Sequence, residues 1–169
     1  MKYVIGVDLG TSATKTILVD QNGKIVAEAS VKYPMYQPEN GWAEQDPSDW
    51  SEAAISTIKS VVEKGQVNGK DVRGIGISGQ MHGLVMLNEE NQVIRRSIIW
   101  CDQRTSAEVA QMNRIVGHEK FMEITANPAL TGWTAAKILW VRNNEPENYK
   151  KCCHILLPKD YLRFILTGE

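Results

Sequence analysis

The sequence predicts an α/β fold built on a mixed sheet flanked by helices. Three observations lead there. The chain opens with three short strand-like runs separated by turns, the pattern of an antiparallel meander. A long amphipathic segment follows, with Trp50, Ala54, Ile58 and Val61 recurring at helical spacing. A further apolar run, "VRGIGIS", then gives way to a mostly helical remainder.

Each element has its own signal. Residues 3–8 and 16–20 read as paired strands around the turn in "VDLGTSATK". Asn22-Gly23 is a strong hairpin signal and leads into a third strand, residues 24–32. The Pro- and Gly-bearing loop "YPMYQPENGWAEQDP" ends in Asp46, a natural helix N-cap, and Pro47 suits the first helical position. That helix is expected to run to about Glu63. Residues 72–78 read as a short buried strand. "LVML" and "QVI" flank "NEEN" as a hairpin-like pair, and residues 97–100 form a brief strand. Residues 105–108, "TSAE", have the form of a capping box, and Gly117 suits the end of the helix they begin. A second helix is expected over 134–143, a short strand at "HILL", and a last helix over 158–166.

The bulk properties exclude several classes. A chain of 169 residues, 43% hydrophobic and 23% charged, is an ordinary globular composition and fits one domain with a real core. A formal net charge of -1 gives no electrostatic reason to expect nucleic acid or an anionic membrane as partner. No apolar run approaches the ~18 residues that suggest a membrane span. The start "MKYVIGVDLG" reads as a strand rather than a signal peptide. Cys101, Cys152 and Cys153 make neither a disulfide framework nor a metal-binding spacing, and read as small buried hydrophobes or strand-end residues. The expected compartment is the cytoplasm.

The opening turn concentrates chemistry. Phosphoryl transfer needs positioned donors and a metal far more than covalent help. Gly10 lets backbone N–H groups approach an anion, Thr11 and Ser12 add hydroxyl donors, Lys15 adds a cation, and Asp8 can hold Mg²⁺ directly or through water. The plain alternative is a polar turn, since turns are rich in these residue types. It is not a Walker A loop, which would open a helix, and no GxGxxG fingerprint follows the first strand.

A second concentration lies further along. "SGQMHG" follows a strand, where polar residues between glycines often face a crevice. Gln80 and His82 can each donate and accept, and Met81 can fill an irregular apolar gap. The alternative is a loop with a satisfied histidine. "WCDQR" offers an aromatic wall in Trp100, a carboxylate in Asp102 and a guanidinium in Arg104. Asp102 is equally suited to capping a helix that begins near Gln103, with Arg104 as its partner. Trp42 and Glu44 are read as packing and loop bracing, Trp50 as packing beneath the helix. For Lys137 the default is a solvated side chain.

Taken jointly, "VIGVDLGTSATKTILVD", "GWAEQDPSDW", "GIGISGQMHGLVML", "IIWCDQRT" and "PKDYLRFILTGE" resemble the FGGY carbohydrate kinases, in order and spacing, over essentially the whole chain. The resemblance implies an actin-like, ribonuclease-H-like ATPase fold, ATP and Mg²⁺ as cofactors, and a sugar as substrate. Asp8 would belong to the phosphate and metal side, with Gly10, Thr11, Ser12 and Lys15 on the nucleotide. Met81 and His82 would contact the sugar with Gln80 beside them, and Trp100, Asp102 and Arg104 would form a signature that touches the sugar or braces its pocket. The Met81-His82 pair is most similar to family members that convert the ketopentose D-xylulose to D-xylulose 5-phosphate. Glycerol-phosphorylating members carry an Arg-Glu pair there. Gluconate-, ribulose- and glycerol-phosphorylating members stay open as alternatives, as does a non-catalytic actin-like ATP-binding fragment. The family's general base lies beyond Glu169, so residues 1–169 read as an incomplete N-terminal domain lacking a second actin-like domain, inactive in isolation. By Lys137 the resemblance places a cleft. The expected partners are the small-molecule sugar, no nucleic acid, no membrane, and a second copy in a full-length homodimer.

Overall fold

The computed structural model describes residues 1–169. Where the length suggested a single core, the chain divides into two compact units: Met1–Pro34, Asp46–Met81 and Pro158–Glu169 form the first, Met35–Gln45 and His82–Leu157 the second.

The first unit is a four-stranded sheet with helices. β1 (Tyr3–Leu9), β2 (Ala13–Asp20) and β3 (Ile25–Lys32) form the expected meander, and β5 (Val72–Gly79) adds to the other side of β1 in parallel, giving the order β3-β2-β1-β5. Strand alternation decides which side chains enter the core. Ile5, Val7 and Leu9 of β1 and Thr14, Thr16 and Leu18 of β2 are buried, while Asp8 and Lys15 point the other way. α1 (Pro47–Lys64) packs on β2 and β3 through Trp50, Ala54, Thr57 and Val61. One polar contact crosses this interface, between the Thr16 and Thr57 hydroxyls at 2.7 Å. α6 (Pro158–Thr167) packs on α1 and β5.

β5 corrects an expectation. Its apolar run reads as a buried strand, yet Ile75 is 45% exposed and Gly74, Gly76 and Ser78 are open. The reason is topological: β5 pairs only with β1, so it is an edge of the sheet.

The second unit is built from short elements. β4 (Glu44–Gln45) pairs with β7 (Ser97–Ile98), and β6 (Val85–Leu87) pairs with β8 (His154–Leu156). The expected hairpin around "NEEN" is closed by the Asn88 N–H donating to the Gln92 carbonyl at 3.0 Å, by the Ile94 N–H donating to the Met86 carbonyl and by a bridge from Leu87 to Val93. β6 also takes a full-length partner from 67 residues downstream in the Leu87–His154 pairing, which no local signal could show. The helices are α2 (Ser106–Val116), α3 (His118–Thr125), α4 (Thr134–Asn144) and α5 (Pro146–Lys151); α3 and α5 have no counterpart in the sequence reading. The core joins Leu84, Met86, Ile98, Trp140 and Val141, with Trp42 and Ile138 packed against it. The capping box at 105–108 does not form: Thr105 donates to the Thr131 carbonyl, and Glu108 is buried and accepts from Asn143. The thiols are free; Cys101 and Cys152 are half-buried and Cys153 is exposed just before β8, so only the strand-end reading holds for it. No helix is long and apolar enough to cross a membrane.

The α1 start generates a stability prediction. Asp46 caps it by accepting from the Ser48 N–H at 3.0 Å, and Trp50 is fully buried. Asp46→Ala should lower the unfolding free energy by about 1 kcal/mol, and Trp50→Ala by about 3–5 kcal/mol. Denaturant midpoints on the two variants check both values.

Candidate functional site

In the first unit, the β1–β2 turn is closed by the Gly10 N–H donating to the Ala13 carbonyl at 3.1 Å, which leaves Thr11 and Ser12 at the tip. A Cβ on Gly10 would come within 3.0 Å of that same carbonyl, so a side chain there is crowded out. Tyr33, a residue the sequence did not single out, donates its hydroxyl to the Gly10 carbonyl and braces the turn. Burial pushes its phenol up to about 12, a hydrogen bond with Thr14 opposing the rise and the Asp8 charge adding to it.

Asp8 and Lys15 face each other across β1 and β2 and are both exposed. Ser78 lies beside Asp8 in the parallel register, and Gly6 lies beside Gly76. The result is an open depression of about 510 Å³ lined by Gly6, Gly76 and the aliphatic Ile17, with Asp8, Lys15 and Ser78 as its polar side chains. Ile17 covers Gly6, but nothing lies within 4 Å of where a Cβ on Gly76 would stand, so a ligand can lie close to the backbone there. No group of three or more His, Cys, Asp or Glu side chains gathers anywhere to hold a metal by itself. An exposed lone carboxylate suits Mg²⁺, which keeps most of its water and shares its remaining ligands with phosphate oxygens. Gln80 extends the β1–β5 pairing, its N–H donating to the Leu9 carbonyl at 2.7 Å, and Met81 is 60% exposed.

In the second unit, Asp102 and Arg104 are held by protein partners. Asp102 is fully buried; one oxygen accepts from the Ala43 N–H at 2.6 Å and from Arg104 Nη2 at 2.8 Å, the other from the Arg104 N–H at 2.9 Å. α2 begins only at Ser106, so Asp102 ties a loop to a loop rather than capping that helix. Arg104 also reaches Glu44 at 2.8 Å, and Glu44 takes Arg95 at 2.6 Å on the same oxygen. The guanidinium lies 3.7 Å over Trp42 and 4.8 Å from the Trp140 ring, and the two indoles meet edge to face at 5.3 Å. Glu44 and Trp42 brace, as expected. Trp100 remains 48% exposed, a wall available to a ligand.

His82 lies in the left-handed region at φ 62°, and its ring stacks on Trp133 at 4.9 Å and 14°. Its carbonyl accepts from Lys137 Nζ at 2.6 Å and from the Thr134 hydroxyl at 3.3 Å. Lys137 also donates to the Gly132 carbonyl at 2.5 Å. The default of a solvated lysine is therefore wrong: Lys137 has no exposed surface. Burial pushes its amine down to about 8, partly offset by the Asp102 carboxylate and then Cys101, while Arg104 adds to the lowering. Trp133 and Thr134 went unremarked in the sequence because nothing local in "TGWTAAK" marks them.

Two predictions follow from this geometry. Removing one partner of a buried ion network strands the others, so Glu44→Ala should cost about 3–5 kcal/mol. Breaking the exposed Lys120–Glu123 pair should cost under about 1 kcal/mol. Chemical denaturation of both variants compares them. For Lys137, the folded protein releases the proton near pH 8 and the unfolded chain only near 10.5. Between those values the unfolded state binds more protons, so this residue's contribution to stability grows as pH rises. The stability of the wild type relative to Lys137→Met should therefore improve from pH 8 to about 10, a comparison in which Tyr33 cancels and which is made in a Cys101→Ser background, because the thiol and the amine interact. A difference flat in pH would mean that Lys137 titrates normally.

The relatives of this chain are sugar kinases. A model of the FGGY family of carbohydrate kinases, N-terminal domain, matches residues 3–169. The xylulose kinase of Bacillus subtilis (strain 168) is 50% identical over 168 residues, covering 99% of this chain and 34% of the relative. The crystal structure of xylulose kinase from Rhodospirillum rubrum superposes with a TM-score of 0.93 at 32% identity, over 99% of this chain and 35% of that one. The gluconate kinase from Lactobacillus acidophilus gives a TM-score of 0.91 at 33% identity, over 99% of this chain and 34% of that one. The chain thus spans about a third of the length of the curated relatives it matches. Its mixed α/β architecture is the actin-like, ribonuclease-H-like fold of these kinases. By the match over residues 3–169, the chain belongs to the FGGY family of carbohydrate kinases, as an N-terminal domain.

Proposed function

We propose that this chain is the N-terminal part of an ATP-dependent kinase that converts D-xylulose to D-xylulose 5-phosphate. The observation that carries this reading is the Met81-His82 pair directly after β5, in a chain that xylulose kinases match from end to end. The opening turn supports the phosphate side. Backbone N–H groups around Gly10 and the hydroxyls of Thr11 and Ser12 would receive phosphate oxygens, Lys15 would neutralise their charge, and Asp8 would hold Mg²⁺ through its water shell. Bound there, the metal would supply charge neutralisation to the transferring phosphoryl group.

On the sugar side, His82 in the second unit offers hydrogen bonds to hydroxyls and Trp100 a surface for the C–H face of a carbon skeleton; in the first unit Met81 is exposed for an apolar contact, while Gln80 is buried. Asp102 and Arg104 act by bracing, since their polar atoms are already engaged within the protein. No residue here is assigned as the base that takes the proton of the attacking hydroxyl. That group would come from the remainder of a longer protein, as would the second wall of the nucleotide site. Residues 1–169 alone should then show no turnover. A gluconate kinase reading is the second possibility, motivated by the structural likeness to that enzyme. A purely nucleotide-binding role would leave "SGQMHG" without a purpose.

Coupled ADP release from the full-length protein, run with D-xylulose, D-ribulose, gluconate and glycerol, decides among these. D-xylulose should give the highest kcat/KM; a preference for gluconate would replace the reading. Asp8→Ala should cut kcat by about 100-fold or more while the melting temperature holds, because the side chain is exposed and acts through charge. Near-normal turnover would remove Asp8 from the phosphate site.

A further inference from the structure

We propose that Lys137 is a positioning residue for sugar recognition, holding the His82 backbone so that the imidazole is presented in one orientation against Trp133. The inference rests on the reading that His82 meets the sugar, and goes beyond it by assigning what sets that histidine.

A non-glycine residue at φ 62° is held there against its own preference. Such a conformation persists only when the surroundings over-determine it. At His82 the determinants come from one short stretch. The Lys137 ammonium and the Thr134 hydroxyl both grip its carbonyl, and Trp133 stacks on its ring. With the carbonyl fixed from behind and the ring fixed from the side, the His82 side chain has little freedom left.

The second Lys137 contact anchors the device. The amine also holds the Gly132 carbonyl, and Gly132 presses on the Trp100 backbone so closely that a Cβ would come 2.7 Å from the Trp100 carbonyl oxygen. Lys137 thus joins the loop carrying His82 to the loop that seats Trp100. A buried ammonium is costly to desolvate, and an apolar side chain of similar length would fill the same space without that cost. What the apolar chain would lack is the pair of carbonyl contacts, which is why the lysine is better explained by what it positions than by packing.

The test is a mutant cycle on the full-length kinase. His82→Ala alone should raise the KM for D-xylulose by about tenfold and leave that for ATP nearly unchanged; if it does not, the role of His82 in sugar binding fails first, and this inference with it. Given that effect, Lys137→Met should likewise raise the sugar KM by about tenfold with little change for ATP. The decisive reading is the double variant. If Lys137 acts through His82, Lys137→Met in the His82→Ala background should add less than about twofold. Multiplicative effects, an equal rise in both KM values, or a normal sugar KM in Lys137→Met would overturn the proposal while leaving His82 in place. Should Lys137→Met fail to fold, Thr134→Val, which removes the other donor on the same carbonyl, is read in the same cycle. It is expected to raise the sugar KM about twofold to threefold, and only when His82 is present; an effect that persists in His82→Ala would overturn the proposal.

Discussion

The second unit depends on where the Arg104 guanidinium can go. Its side chain is 1% exposed, so its charge must be met inside the protein. Asp102 and Glu44 meet it through hydrogen bonds, and the rings of Trp42 and Trp140 lie 3.7 and 4.8 Å from its central carbon. The requirement is mutual, because a fully buried Asp102 needs Arg104 and the Ala43 N–H just as much. This constraint fastens residues 42–44 to 102–104 and both to α4. Glu44, Asp102 and Arg104 thereby become the inside of a scaffold, while Trp100 and Gln103 stay exposed.

Under the proposed function, each unit would carry one side of a phosphoryl transfer. The first presents an exposed carboxylate, an ammonium and the Ser78 hydroxyl around an open depression, beside the turn that carries Thr11 and Ser12. The second presents a strained, stacked histidine and an exposed indole, a surface suited to a polyol. The chain passes from one unit to the other at the Met81–His82 peptide bond. Met81 and His82 are thus neighbours in sequence that belong to different units.

Much of the first unit was legible because its signals are local. The Asn22-Gly23 turn, the Asp46-Pro47 start and the spacing of Trp50, Ala54 and Val61 each act within a few residues, and the strands and helix appear where those signals place them. The second unit resisted because its pairings are distant. The partner of β6 is β8, the partner of Thr105 is Thr131, and Lys137 meets a carbonyl 55 residues away. Burial of an ionisable side chain was the hardest feature to read. A lysine on a helix is solvated unless some backbone carbonyl waits for it, and that carbonyl is visible only in three dimensions. The edge position of β5 was hidden for a related reason, since an apolar run looks the same with one neighbour as with two.

Amide hydrogen exchange on the full-length protein, with and without each ligand, tests this division of labour most directly. D-xylulose alone should slow exchange at residues 81–83 and 131–134 and leave residues 8–15 unchanged. A non-hydrolysable ATP analogue with Mg²⁺ should slow residues 10–13 instead. Protection by the ketose confined to residues 8–15, or no response to it at 81–83 and 131–134, would contradict the assignment of sugar recognition to the His82 end of the chain.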